Sequence, residues 1–263
     1  MWNRKQRGIS WLGLILLQFL PIYTSENFKY QIQHNFVIAG NIIANNFLQY
    51  LDKLYFVFKI VPVILIALLI FCKSKKVTKV YLYYISIMYL IFAVVQNMGF
   101  VENHGFGIVI PNIIMCFIMS TMWFIEANEC KEEYKFQKKT MIYFLLIPLC
   151  MIAFWDPPVN HSIQPISLEF SLHNFLFSFA GLAECMMTCI FISVYIFTHE
   201  MYNSKTFGFM CIIGIIRAIE NVGLVFVYIN SDRGAALAWL ITHTPLLITS
   251  ITGYILSCKN TKS

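Results

Sequence analysis

Seven stretches of this chain run for sixteen to twenty-eight residues with at most two charged side chains each, at approximately 54 to 72, 80 to 99, 107 to 127, 140 to 155, 170 to 197, 207 to 229 and 236 to 257. A helix needs roughly 20 apolar residues to cross the hydrocarbon of a bilayer, and only helices and closed barrels satisfy their own backbone there. Runs of this length leave little choice of architecture. The chain is 263 residues long, with 59% hydrophobic and only 12% charged residues, whereas a soluble domain carries about 25% charged residues. The fold class these features predict is all-α, a polytopic integral membrane helical bundle of seven or eight transmembrane helices with almost no soluble part.

The distribution of positive charge predicts how the bundle is oriented. Lys73, Lys75, Lys76 and Lys79 fall in one connection, Lys131, Lys135, Lys138 and Lys139 two connections later, then Lys205, then Lys259 and Lys262. With Arg4, Lys5 and Arg7, fourteen of the nineteen basic residues lie on one side, against Lys29, Lys53 and Arg233 on the other. Cytoplasmic connections collect Lys and Arg, so that side is read as cytoplasmic, and the carboxyl terminus with it. The segment Asp156 to Glu169 has no Lys or Arg and reads as an external loop. The excess of positive charge is therefore a matter of insertion. No basic, aromatic-interleaved soluble segment exists to bind nucleic acid, which is excluded as a partner.

Residues 1–23 have two readings. Three basic residues followed by an apolar stretch from Ile9 to Tyr23 fit a signal peptide or an uncleaved signal anchor; kept, the segment makes eight spans, removed, it leaves seven. Residues 24–53 read as an external amphipathic segment, because Asn41, Asn45, Gln49 and Asp52 recur at helical spacing opposite Phe36, Ile43, Phe47 and Leu51. Residues 54–263 form the seven-helix transmembrane domain. Pro62, Pro111, Pro148 and Pro245 fall inside the apolar runs, where kinks are expected.

All eight cysteines fall within spans or on the predicted cytoplasmic side, so no disulfide framework is expected. His104, His161 and His173 gather near the predicted external face but lack the fixed spacing of a zinc motif. No metal and no cofactor is implied.

Ionisable residues at mid-depth carry the functional signal, since a charge at the bilayer centre costs about 2.5–3.5 kcal/mol even on the most lenient scale. Read as continuous helices, the runs place Glu184 roughly 21 Å from the outer end of its span and Arg217 about 15 Å from the inner end of the next. Glu220 and Asn221 share the Arg217 face, and His243 precedes the expected kink at Pro245. Glu184, Arg217, Glu220, Asn221 and His243 are the predicted ligand-binding set, lining one polar cavity; no catalytic residue is assigned. Gln96, Asn97 and Asn112 lie nearer outer ends, and Lys59 is expected to snorkel to the interface without a functional role. The function these residues favour is small-molecule or ion binding by a multi-pass membrane protein, a transporter or a seven-helix sensor. A sensor with such short connections would signal through a cytoplasmic protein partner. The alternatives are a membrane-embedded enzyme acting on lipid, for which no nucleophile or metal motif is present, and a buried ion pair that only fixes helix packing.

Overall fold

The computed structural model describes residues 3–26, 32–130, 133–137, 141–155, 172–198, 205–229 and 233–259. Among the described residues five helices are long and apolar enough to cross a membrane, or six if one sharply bent pair is a single span. The chain is thus an all-α membrane bundle, to which one small sheet is attached.

Helix α1 (Arg4–Leu17) opens with a capping box in which the Asn3 side chain accepts from Gln6 N–H at 2.8 Å and Gln6 Oε1 accepts from Asn3 N–H at 3.2 Å. It reaches the last helix through Trp11, whose Nε1 donates to Tyr254 OH at 3.0 Å. The chain then extends into a short strand, β1 (Tyr23–Thr24).

Helix α2 (Ile32–Ala44) follows, and a 3-10 helix (Phe47–Leu54) starts at Asn46, whose side chain caps it. The polar series from Asn41 to Asp52 therefore belongs to two helical pieces rather than one. Ile38 and Ile42 of α2 are buried with Ile22, Val101 and Val109 at the end of the bundle that carries the sheet.

Helices α3 (Tyr55–Cys72), α4 (Lys75–Val95) and α5 (Ile110–Glu129) match the first three apolar runs, with two corrections. The run 80 to 99 stops being helical at Val95, and the next helix begins only at Ile110. Between them β2 (Met98–Val101) and β3 (Gly105–Ile108) form an antiparallel hairpin in which Phe100 pairs with Phe106, and β1 adds to β3 through Tyr23 opposite Ile108. The turn needs a left-handed backbone, and Asn103 (φ 63°) and Gly105 (φ 66°) supply it. Pro111 consequently sits in the first turn of α5, where its missing N–H leaves no helical bond unmade.

A 3-10 turn (Met141–Leu145) leads into α6 (Leu146–Trp155), which at about 15 Å is shorter than a full crossing. Pro148 lies in its first turn. The long run 170 to 197 is the largest departure from the sequence reading. Instead of a tilted helix it forms α7 (Leu172–Phe177), a 3-10 turn (Phe179–Leu182) and α8 (Glu184–Thr198), with a bend of 89° between the two arms.

Helices α9 (Lys205–Tyr228) and α10 (Arg233–Lys259) complete the bundle and pack closely. A methyl at Gly253 would sit 2.7 Å from Cys211 Sγ, so the small residues at this seam set the approach of the two backbones. All fifteen residues of α8 are buried. A helix apolar on every side is the core element of a bundle, and α8 fills that place, with Thr188 bonded to Tyr89 OH of α4 at 2.8 Å.

Candidate functional site

The break before α8 has a definite cause. Gly181 lies directly on the backbone of α3, where an added Cβ would be 2.7 Å from the Phe58 carbonyl carbon and 3.0 Å from Lys59 N. No side chain fits there, and the close contact pins the 3-10 turn against α3. Ala183 is extended (φ −93°, ψ 122°), so Glu184 becomes the first residue of a new helix. A helix start buried in a bundle leaves backbone N–H groups without partners. Gln96, at the end of α4, meets this need: its Oε1 accepts from Glu184 N–H at 2.8 Å. Ser178 Oγ donates to Trp155 O at 3.1 Å on the other arm.

Glu184 therefore does not stand on the flank of a continuous helix, as the sequence suggested, but at the exposed-dipole end of a broken one. Helix N-termini carry about half a positive charge, so the carboxylate is stabilised by its own helix as well as by Arg217. The two side chains approach to 3.5 Å, Arg217 Nε to Glu184 Oε2, and both are almost wholly buried. The geometry is that of an ion pair without a hydrogen bond, because Nε has no hydrogen-bond partner among the described residues.

Arg217 also donates through Nη1 to Asn112 Oδ1 at 2.5 Å and to Glu220 Oε2 at 3.0 Å. One guanidinium thus ties α5, α8 and α9 together. Asn221 Nδ2 turns back to Arg217 O at 2.8 Å and reaches Cys185 Sγ at 3.5 Å. The cluster grades outward: the Glu184 side chain is 4% exposed, Arg217 6% and Glu220 32%. Glu220 is its open end.

Besides Arg217 Nε, two further atoms at the closed end lack a hydrogen-bond partner. Glu184 Oε1 and Arg217 Nη2 are buried and make no hydrogen bond of good geometry to any described residue, although the Cys116 thiol of α5 lies beside the Glu184 carboxyl. Leaving such groups bare costs about 1–3 kcal/mol each, more for charged groups, and this cost is what a bound polar group at the ion pair would relieve.

Of the five predicted ligand-binding residues, Glu184, Arg217, Glu220 and Asn221 are brought together. His243 is buried, but its ring stacks on Trp239 of its own helix at 4.7 Å, and Nδ1 lies 2.9 Å from Trp239 O and 3.0 Å from Thr242 Oγ1. Among the described residues no hydrogen bond or ion pair joins His243 to the other four. Its ring folds back along α10 and so is spent on local contacts.

The sequence reading missed Asn112 and Gln96 as members of the site, both having been placed simply by depth near outer ends. It also misjudged Lys59. That side chain is 1% exposed, donates to Phe154 O, and lies 4.1 Å from the Phe154 ring centroid and 5.9 Å from that of Phe175. It does not snorkel; aromatic rings from α6 and α7 enclose the ammonium, and cation–π attraction is strongest where water is excluded. Among the described residues no group of three His, Cys, Asp or Glu side chains could hold a metal. All eight cysteines are free thiols, with Cys150 Sγ and Cys189 Sγ 3.9 Å apart. His161 lies outside the described residues.

Comparison of the chain with protein-family models, with curated proteins and with solved structures gives no match.

Proposed function

We propose that the chain is a multi-pass membrane protein that binds a small polar molecule at the break before α8, as a transporter or a membrane sensor. The observation that carries this reading is the buried, unpartnered pair Glu184 Oε1 and Arg217 Nη2 at a discontinuous helix. Transporters place substrate sites at such breaks, where a helix end and freed polar groups face an interior site.

The composition of the site narrows the ligand. Arg217 is already claimed by two carboxylates and an amide, so a simple anion has little to gain there. Two carboxylates against one guanidinium favour a ligand bearing positive charge, and an unpartnered acceptor on one side chain with an unpartnered donor on the other suits an ammonium and a carboxylate or carbonyl in the same molecule. The ligand class is a small zwitterionic or cationic metabolite, entering past the half-exposed Glu220.

Eight crossings with both termini on the cytoplasmic side give the topology that agrees best with the basic connections. Helix α1 rises about 21 Å, and with the non-helical residues 18–22 after it the segment runs from the level of Lys205 to the sheet that joins α4 and α5. The Trp11–Tyr254 and Gln18–Met115 contacts along the way support a retained amino-terminal anchor. In the sensor form a cytoplasmic protein partner would read the state of the bundle.

The test is native mass spectrometry of the detergent-purified protein against a panel of amino acids and amines. Retention by the wild type, lost in Glu184→Gln and in Arg217→Met but kept in His243→Ala, supports the site. Retention unaffected by Glu184→Gln refutes it. Counterflow in proteoliposomes then separates transport from binding alone.

The same constellation suits a register lock with no ligand, since Arg217 joins three helices. That reading predicts no retained molecule in any variant.

A further inference from the structure

A cleft lies at the far end of α9 from Glu220. Gln6, Ile9 and Ser10 of α1, Met122 of α5 and Lys205 and Phe209 of α9 line an open, shallow cleft of about 320 Å³. Polarity in it is graded along the helices. Gln6 and Lys205 belong to the first turns of α1 and α9, whereas Ile9 and Phe209 come about one turn later. Met122 lies one turn before Glu126 of α5, which accepts from Thr206 at 3.0 Å and so marks the Lys205 level. The cleft is therefore charged at the membrane edge and apolar below it.

Charge around its mouth is mainly positive. Arg4, Lys5 and Arg7 lie in the opening turn of α1 with Gln6, and among the described residues no carboxylate forms a salt bridge with Lys205. Glu126, which accepts from the Thr206 hydroxyl, is a carboxylate at the same level and offsets part of this charge. Ile9 is 61% exposed, so the cleft opens sideways, where a lipid tail can enter without threading the bundle.

We infer that this cleft seats an anionic phospholipid from the leaflet that bathes the amino-terminal ends of α1 and α9. Its phosphate lies at Lys205, with Gln6 and Ser10 as hydrogen-bond donors, and one acyl chain lies along Ile9, Met122 and Phe209. The inference goes beyond the ligand site at Glu184 and shares with it only that the chain sits in a bilayer. A basic side chain at a membrane surface contributes about fivefold to the binding of an anionic lipid, and the apolar wall adds to the binding of any lipid.

The experiment uses the full chain, delipidated in detergent and offered phosphatidylglycerol and phosphatidylcholine of matched tails in equal amounts, with bound lipid counted by native mass spectrometry. Phosphatidylglycerol is expected to be favoured about fivefold. Lys205→Ala should bring the ratio close to one and Lys205→Arg should restore it, while Lys76→Ala, an exposed lysine at the start of α4, leaves it unchanged. Lys205 is exposed at a helix end, so these variants fold. Equal retention of the two lipids by the wild type overturns the proposal, as does a ratio that Lys205→Ala does not change or that Lys76→Ala lowers as much. Displacement of the lipid by soluble glycerol phosphate would show a headgroup site without the apolar wall and would also overturn it.

Discussion

Replacing Arg217 by Met should be among the most damaging single changes in this protein, and the structure sets its size. The substitution keeps a long side chain but removes the hydrogen bond to Asn112 at 2.5 Å, the one to Glu220 at 3.0 Å and the ion pair to Glu184 at 3.5 Å. Glu220 is 32% exposed and can be solvated, so its share is small. Glu184 is 4% exposed and would be left as a buried charge opposite a thioether, at a cost of about 3–5 kcal/mol. For a chain of this size that corresponds to a fall in Tm of about 10 °C, measurable by tryptophan fluorescence in detergent. Glu184→Gln alone leaves Arg217 with two partners and should cost about 1–2 kcal/mol. Combining the two removes the stranded charge, so the double variant should be more stable than the sum of the single effects by about 2 kcal/mol. Additive losses, or an Arg217→Met protein melting within 2 °C or so of the wild type, would show that the pair is not coupled as the geometry requires.

Three further outcomes follow from other contacts. Gly181→Val puts side-chain atoms into the backbone of α3, whose Phe58 carbonyl carbon would be 2.7 Å from the new Cβ; overpacking of this kind costs about 1–3 kcal/mol and should lower expression and Tm, whereas Gly8→Val, where a Cβ meets nothing within 4 Å, should change Tm far less. Lys59→Ala should lose about 3 kcal/mol from the charged hydrogen bond and the aromatic contacts, read as a Tm shift, and a neutral result would return Lys59 to the interface. Mild oxidation should join Cys150 to Cys189, found 3.9 Å apart, as peptide mapping would reveal; the bond needs the sulfurs at about 2.05 Å, a small movement of α6 toward α8, and crosslinks only between other cysteines would contradict the packing of these helices.

Hydropathy summed over some twenty residues was enough to identify the apolar helices and their approximate limits, because lipid taxes each residue by itself, whatever its neighbours in space. The same arithmetic found Glu184 and Arg217 as the residues that most need a partner. It could not find the partners. Asn112 lies 105 residues from Arg217, and Gln96 lies 88 residues from Glu184; nothing local in either segment encodes the meeting. The hairpin between α4 and α5 was hidden because Met98, Phe100 and Ile108 are as apolar as the helices they follow, and only Asn103 with its neighbouring glycines hinted at a turn.

Composition alone therefore determined that the chain would be a membrane bundle and which of its side chains would be expensive to bury. Tertiary structure decided the rest: where the long apolar run breaks, which carboxylate Arg217 faces, that Lys59 is enclosed by rings and that His243 turns to its own helix. The division has one physical origin. Transfer into hydrocarbon is a property of each side chain, whereas the satisfaction of a buried polar group depends on which helix faces the packing brings within about 3 Å of it.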